Sequence, residues 1–195
     1  MSERKFLVWT KKGGCGKTNI SLELSLRMQY PIITNEAESM LETVIGPERC
    51  FTLSDNDDIP NIDSGVIFDF GGYVDKRLIR AASLSYATIV PTLPEISEIQ
   101  GCISTIQALK EYSNRIIVIA NKTETKADFD IIKEAISDIG DFPIFEVKKS
   151  RALPNIYIEK KSIKDMMETN PLLKFSYRKV SDQFDEICHY LLNVE

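Results

Sequence analysis

The chain has 195 residues, a formal net charge of −5 and a hydrophobic fraction of 43%. That length suits one globular domain with a single core, and the acidic balance argues against a generally basic nucleic-acid binder. No apolar run approaches the roughly 18 residues that span a bilayer, and Met1-Ser2-Glu3-Arg4-Lys5 lacks the shape of a signal peptide, so a soluble cytoplasmic protein is expected. The cysteines Cys15, Cys50, Cys102 and Cys188 form no C-x-x-C pair and the only histidine is His189, so metal-site spacing is absent and reduced thiols are expected.

Phe6-Leu7-Val8-Trp9 is a short apolar run opening into a glycine-rich loop, which reads as a buried strand. From Thr18 to Met28 the apolar residues Ile20, Leu22, Leu24, Leu26 and Met28 alternate, a strand-like pattern, but the preceding loop predicts a helix. Ile32-Ile33-Thr34 is a second strand, Ser54 to Asp63 a polar loop, and Val66 to Phe70 a strand closing in Gly71-Gly72. Asp75 to Leu84 reads as helix, and Ala87 to Val90 as a strand stopped by Pro91 and Pro94. Glu95 to Tyr112 is helical, Ile116 to Ala120 is a strongly apolar strand, and Ala127 to Ile139 carries a helical stripe. Pro143 to Glu146 is a last short strand. Asn170-Pro171 then supplies an N-cap and first-turn proline for a helix with Leu173, Tyr177, Val180, Phe184, Ile187 and Leu191 on one face. Continuous apolar strands alternating with helices indicate an α/β fold, a mainly parallel twisted sheet flanked by helices on both faces, with all 195 residues in one domain.

Gly13-Gly14-Cys15-Gly16-Lys17-Thr18 lies where a strand passes into a helix, the setting of a phosphate-binding P-loop. Glycines let backbone N–H groups turn toward phosphate oxygens, and the helix N-terminus adds partial positive charge. Lys17 is placed to reach the β- and γ-phosphates and Thr18 to offer its hydroxyl to Mg²⁺. The strict pattern G-x-x-x-x-G-K-[ST] fails, because Lys11 stands where its first glycine belongs. The stretch Lys12-Gly13-Gly14-Cys15-Gly16-Lys17-Thr18 fits the variant K-G-G-x-G-K-T instead.

That loop resembles the deviant Walker A motif of the ParA/MinD family of P-loop ATPases. The resemblance implies that Lys12 is a signature lysine that reaches the partner's phosphates in an ATP-dependent sandwich homodimer. It implies that Asp69 is the Walker B aspartate holding Mg²⁺ through water, and that Gly71-Gly72 belongs to the loop sensing the γ-phosphate. Asn121 matches a position that family members place against adenine. Asn121-Lys122-Thr123-Glu124 also approaches the guanine-reading N-K-x-D, but Glu124 is one methylene too long, so ATP is expected over GTP.

The sequence departs from the family at its D-x-D-P-Q-like segment, which reads Thr34-Asn35-Glu36-Ala37-Glu38-Ser39. Asn35, Glu36 or Glu38 stands in for the aspartate that assists the attacking water, and slow, partner-stimulated hydrolysis is expected. The short span from Lys17 to Asp69 resembles the small plasmid-type ParA proteins, without an N-terminal helix-turn-helix. Ile187 to Glu195 carries no lysine or arginine, unlike a basic membrane-targeting helix, so no membrane partner is expected. Between Lys148 and Lys179 nine basic residues stand against three acidic ones. This segment, with Lys148, Lys149 and Arg151 at its head, is either a face for non-specific DNA or an ordinary charged surface. The resemblance implies plasmid or DNA partition with a centromere-binding adaptor. A related ATPase for conjugation or protein-cargo positioning, and a small-molecule P-loop enzyme, are the alternatives.

Overall fold

Apolar residues on both faces of the central strands demand a cover on both sides, and the connecting helices supply it. The structure, a computed structural model, describes residues 4–72 and 75–193. In chain order the elements are β1 (Lys5–Val8), α1 (Lys17–Met28), β2 (Ile32–Thr34), α2 (Leu41–Ile45), β3 (Cys50–Thr52), β4 (Val66–Asp69) and α3 (Leu78–Leu84). There follow β5 (Ala87–Thr92), α4 (Ile96–Leu109), β6 (Ile116–Thr123), α5 (Lys126–Ser137), β7 (Ile144–Lys148), α6 (Ala152–Glu159), α7 (Ile163–Thr169) and α8 (Pro171–Asn193). The strands form a seven-stranded sheet of order β3-β2-β4-β1-β5-β6-β7, every pairing parallel.

Alternation along β1 divides the core. Phe6 and Val8 face the layer containing α1, α2, α6, α7 and α8, while Leu7 and Trp9 face α3, α4 and α5. The ambiguous pattern of Thr18 to Met28 now has a cause. Helix α1 is sandwiched between the sheet and outer helices, so Ile20, Leu22, Leu24 and Leu26 are all buried and no polar face is needed. Glu23 is buried on the same helix, bonded by Arg27 and by the Ile163 N–H at 3.0 Å at the start of α7. Burial outweighs those donors and pushes its carboxyl up to about 7.

Pro91 does not end β5, which runs on to Thr92. Ile89 turns its carbonyl toward β1, where it accepts from Trp9 N at 3.0 Å, so Pro91, two residues on, faces the same side. There β1 has already ended at Val8, and the missing N–H costs no ladder bond. Helix α3 starts at Leu78 rather than Asp75. The elements α2, β3, α6 and α7 are additions to the pattern read from the sequence. Asn170 does cap α8, its Oδ1 accepting from Leu172 N at 3.1 Å.

Candidate nucleotide-binding site

Strand β1 has β4 on one side and β5 on the other, so the crossovers leave in opposite directions past its C-terminal end. Such a switch point opens a crevice for a ligand. The loop from Thr10 to Gly16 fills it and is held from α4. The Thr105 hydroxyl donates to Gly101 O at 2.7 Å, receives Lys11 N–H at 3.2 Å and meets the Thr10 hydroxyl at 3.3 Å.

Gly14 has φ +81° and Gly16 φ +91°, left-handed conformations that favour glycine. A Cβ on Gly13 or Gly14 would meet nothing within 4 Å, so the loop's outer side is open to a ligand. Gly16 starts α1, and a Cβ there would overlap the Asn121 amide. Lys17 is buried and donates from Nζ to Lys12 O at 3.0 Å. Lys12 is exposed, its stem lying along α4 over Gly101. The Cys15 thiol is buried against Lys12 O at 3.6 Å, and burial raises its pKa.

Asp69 lies at the end of β4, buried, with the Ser21 hydroxyl donating to Oδ1 at 2.7 Å and the Thr18 hydroxyl near enough to lower its pKa. Burial pushes its carboxyl up to about 6, against those two hydroxyls and the Lys17 charge. A carboxylate beside two hydroxyls is a hard oxygen donor set that suits Mg²⁺. Among the described residues no group of three acidic, histidine or cysteine side chains could hold a metal. A magnesium ion at Thr18 and Asp69 would therefore take most of its ligands from phosphate and water. The loop, the ammonium and the oxygen donors together fit a Mg²⁺-nucleotide.

The glycines after Asp69 are pinned against the phosphate loop. Trp9 Nε1 donates to Gly71 O at 2.7 Å, Gly71 N donates to Asn35 Oδ1 at 2.8 Å, and a Cβ on Gly72 would press on the Lys11 carbonyl at 2.9 Å. Among the three candidates after β2, Asn35 is the buried one and Glu38 is exposed. Glu36 is half-buried, its charge adding to the upward shift of Asp69. Tyr157 of α6 faces the same acidic ground. Its hydroxyl is pushed up to about 12, by burial and then by Asp69 and Glu36.

Asn121, expected beside adenine, lies behind the loop, with Nδ2 donating to Cys15 O at 2.8 Å. A register shift between Asn121 and Thr123 puts Lys122 at φ +56° and lets its Nζ reach Gly14 O at 3.3 Å. Glu124 is exposed and paired with Lys149 at 2.6 Å.

The structure thus gathers Lys12 to Thr18, Asp69 and Asn121 into one place. The candidate DNA residues lie further out, on β7 and the approach to α6. Lys148 is paired with Glu146 at 2.8 Å and Lys149 with Glu124, while Arg151 is exposed. Thr105, Ser21 and Tyr157 went unnoticed in the sequence, and Trp9 was read only as part of the first strand. Only Ser21 left a trace there, one helical turn beyond Lys17.

By sequence, no family model and no curated protein matches the chain. Solved structures match by fold. An ATP complex of a McdA variant from Cyanothece superposes with TM-score 0.68 at 11% identity, covering 94% of this chain and 97% of its own. MinD, the septum site-determining protein of Pyrococcus horikoshii, solved with Mg-ADP, gives 0.64 at 16%, covering 98% and 99%. A putative plasmid partition protein of Borrelia burgdorferi, bound to AMPPNP, gives 0.61 at 12%, covering 82% and 90%. The chain has the fold of the ParA and MinD ATPases. The loop after β1 and Asp69 of β4 lie together at the C-terminal ends of two paired parallel strands, the edge at which open α/β sheets bind ligands.

Proposed function

We propose that the chain is a Mg²⁺-dependent ATPase of the ParA/MinD kind, that ATP pairs two copies through Lys12, and that the dimer serves plasmid or DNA partition. The observation that carries this reading is the division between two lysines of one loop. Lys17 is buried, with its ammonium turned in on the loop, while Lys12 is exposed and directed away over α4. One lysine suits the chain's own phosphates and the other a second copy's. Bound Mg²⁺ would neutralise phosphate charge between Thr18 and Asp69. Phosphoryl transfer depends chiefly on such positioning and neutralisation.

In this reading the dimer binds DNA without sequence preference, and a centromere-bound adaptor stimulates hydrolysis and release. Exposed Arg151, Lys160, Lys161, Lys164, Lys174, Arg178 and Lys179 support a DNA contact. The ion pairs of Lys148 and Lys149 favour a second reading, an ATPase that positions a protein cargo.

Sedimentation with Mg²⁺ and a non-hydrolysable ATP analogue tests the dimer. Wild type is expected to dimerise and Lys12→Ala to bind the analogue yet stay monomeric. A Lys12→Ala variant that dimerises like wild type defeats the assignment. Filter binding to duplex DNA at several salt concentrations separates the two readings. Binding that needs the analogue and falls steeply with salt supports partition, and indifference to DNA at low salt supports the protein cargo.

A further inference from the structure

Asn35 closes β2 and is buried with both ends of its carboxamide engaged. Oδ1 accepts from the Gly71 N–H at 2.8 Å, and Nδ2 donates to Asp75 Oδ2 at 2.7 Å. Asp75 is in turn held by Arg77, Nε to Oδ1 at 2.8 Å and Nη2 to Oδ2 at 2.6 Å, both side chains being buried. Hydrogen bonds from Arg77 hold the Asp75 carboxyl well below the usual carboxylate range, so it is an acceptor at neutral pH. Arg77 also donates to Ser54 O at 2.7 Å and Asp57 O at 3.1 Å, fastening the loop after β3 to the same group.

The two contacts of residue 35 require opposite polarities. Gly71 N–H needs an acceptor and ionised Asp75 needs a donor. An amide supplies both on one planar group, whereas a carboxylate supplies only acceptors. An aspartate here would set two ionised carboxylates against each other in a buried place. The departure of Asn35 from the family's aspartate-rich segment therefore has a local cause.

We infer that Asn35 is a positioning residue, which fixes the Gly71 peptide beside the phosphate loop by bridging it to the Asp75–Arg77 pair. The inference rests on the ATPase reading for its effect on turnover, but not for its effect on Gly71. Held by Asn35 on its N–H and Trp9 on its carbonyl, Gly71 has one orientation and sets where Gly72 lies against the Lys11 carbonyl of the phosphate loop. These two bonds fix the plane of the Asn35 carboxamide. The geometry makes Asn35→Asp a loss of hydrolysis.

The test uses the single tryptophan, Trp9, whose indole is bonded to Gly71 O. Emission and acrylamide quenching of Trp9 are read without nucleotide, and kcat and ATP affinity are read separately. Asn35→Asp and Asn35→Ala are expected to shift Trp9 emission and to lower kcat about tenfold or more, with ATP affinity changed less than about threefold. Should Asn35→Asp not fold, Asn35→Ala carries the test, since it removes both contacts without burying a charge. Unchanged Trp9 emission in Asn35→Ala, or faster turnover in Asn35→Asp, overturns the inference. If wild type hydrolyses nothing while the Trp9 shifts are seen, the ATPase reading fails and the positioning role stands.

Discussion

The Asn121 carboxamide donates to the Cys15 carbonyl at 2.8 Å across 106 positions of sequence. The amide is oriented by the Lys122 N–H, which donates to Asn121 Oδ1 at 2.9 Å. Asn121 thereby sets the curve of the phosphate loop from behind, where a Cβ on Gly16 has no room. Removing one such buried bond costs about 1–2 kcal/mol. Asn121→Ala is expected to lower ATP affinity about tenfold. Asn121→Asp should lower it further, because a carboxylate would face the Cys15 carbonyl. Calorimetric titration checks both, and an Asn121→Ala affinity equal to wild type removes the bracing role.

Lys17 has both a ligand to hold and a loop to close. Losing a charged donor costs about 2–3 kcal/mol, so Lys17→Ala is expected to weaken ATP binding roughly 30- to 150-fold. The bond to Lys12 O goes with it, so the loop also loosens. Unchanged affinity by calorimetry refutes the phosphate-loop assignment.

Gly101 carries the stem of Lys12 across α4, and a Cβ at that position would overlap Lys12 Cγ. Gly101→Ala should lift Lys12 from its track and weaken analogue-dependent dimerisation. As an alanine inside a helix it should also favour the helix by up to about 1 kcal/mol. The expected result is an unchanged or raised Tm with poorer dimerisation in sedimentation. A lowered Tm with normal dimerisation would count against the role of the track.

Glu23 gives a pH signature unrelated to nucleotide. Its folded-state pKa of about 7 lies above the ordinary 4.5. Between those values the folded chain binds more protons than the unfolded one, so this group makes stability fall as pH rises through the window. The slope is at most about 1.4 kcal/mol per pH unit. Glu23→Gln should remove that slope. Urea unfolding of both proteins at about pH 5 and about pH 7 measures it, and parallel curves would place the titration elsewhere.

Much of the frame was legible because local signals sufficed. Ile32-Ile33-Thr34 is β2 without adjustment, and the capped start of α8 stands at Asn170-Pro171. Lys17, Thr18 and the glycines were readable because phosphate chemistry fixes their spacing in one short stretch. Other parts were hidden by size or distance. Strand β3 has three residues and α2 five, too few for a period. Between β7 and α8 the density of charge masked two helices, α6 and α7. Thr105 and Lys11 are 94 positions apart, and nothing in either neighbourhood announces the other. The polarity demanded of Asn35 depends on Gly71 and Asp75 arriving on its two sides, which only the folded sheet arranges.

Arg4, just before β1, donates from Nη1 to Leu191 O in the last turn of α8 at 2.8 Å. The start of the first strand and the end of the final helix therefore lie side by side, and α1 is roofed in part by α8. A short flexible linker could join these two ends and the chain could be reopened in the exposed stretch from Ser54 to Asp58. Such a circular permutant would keep the β1 loop, Asp69 and Asn121 in their present places. It would also emerge from synthesis with α8 ahead of α1, so the roof would exist before the helix it shelters.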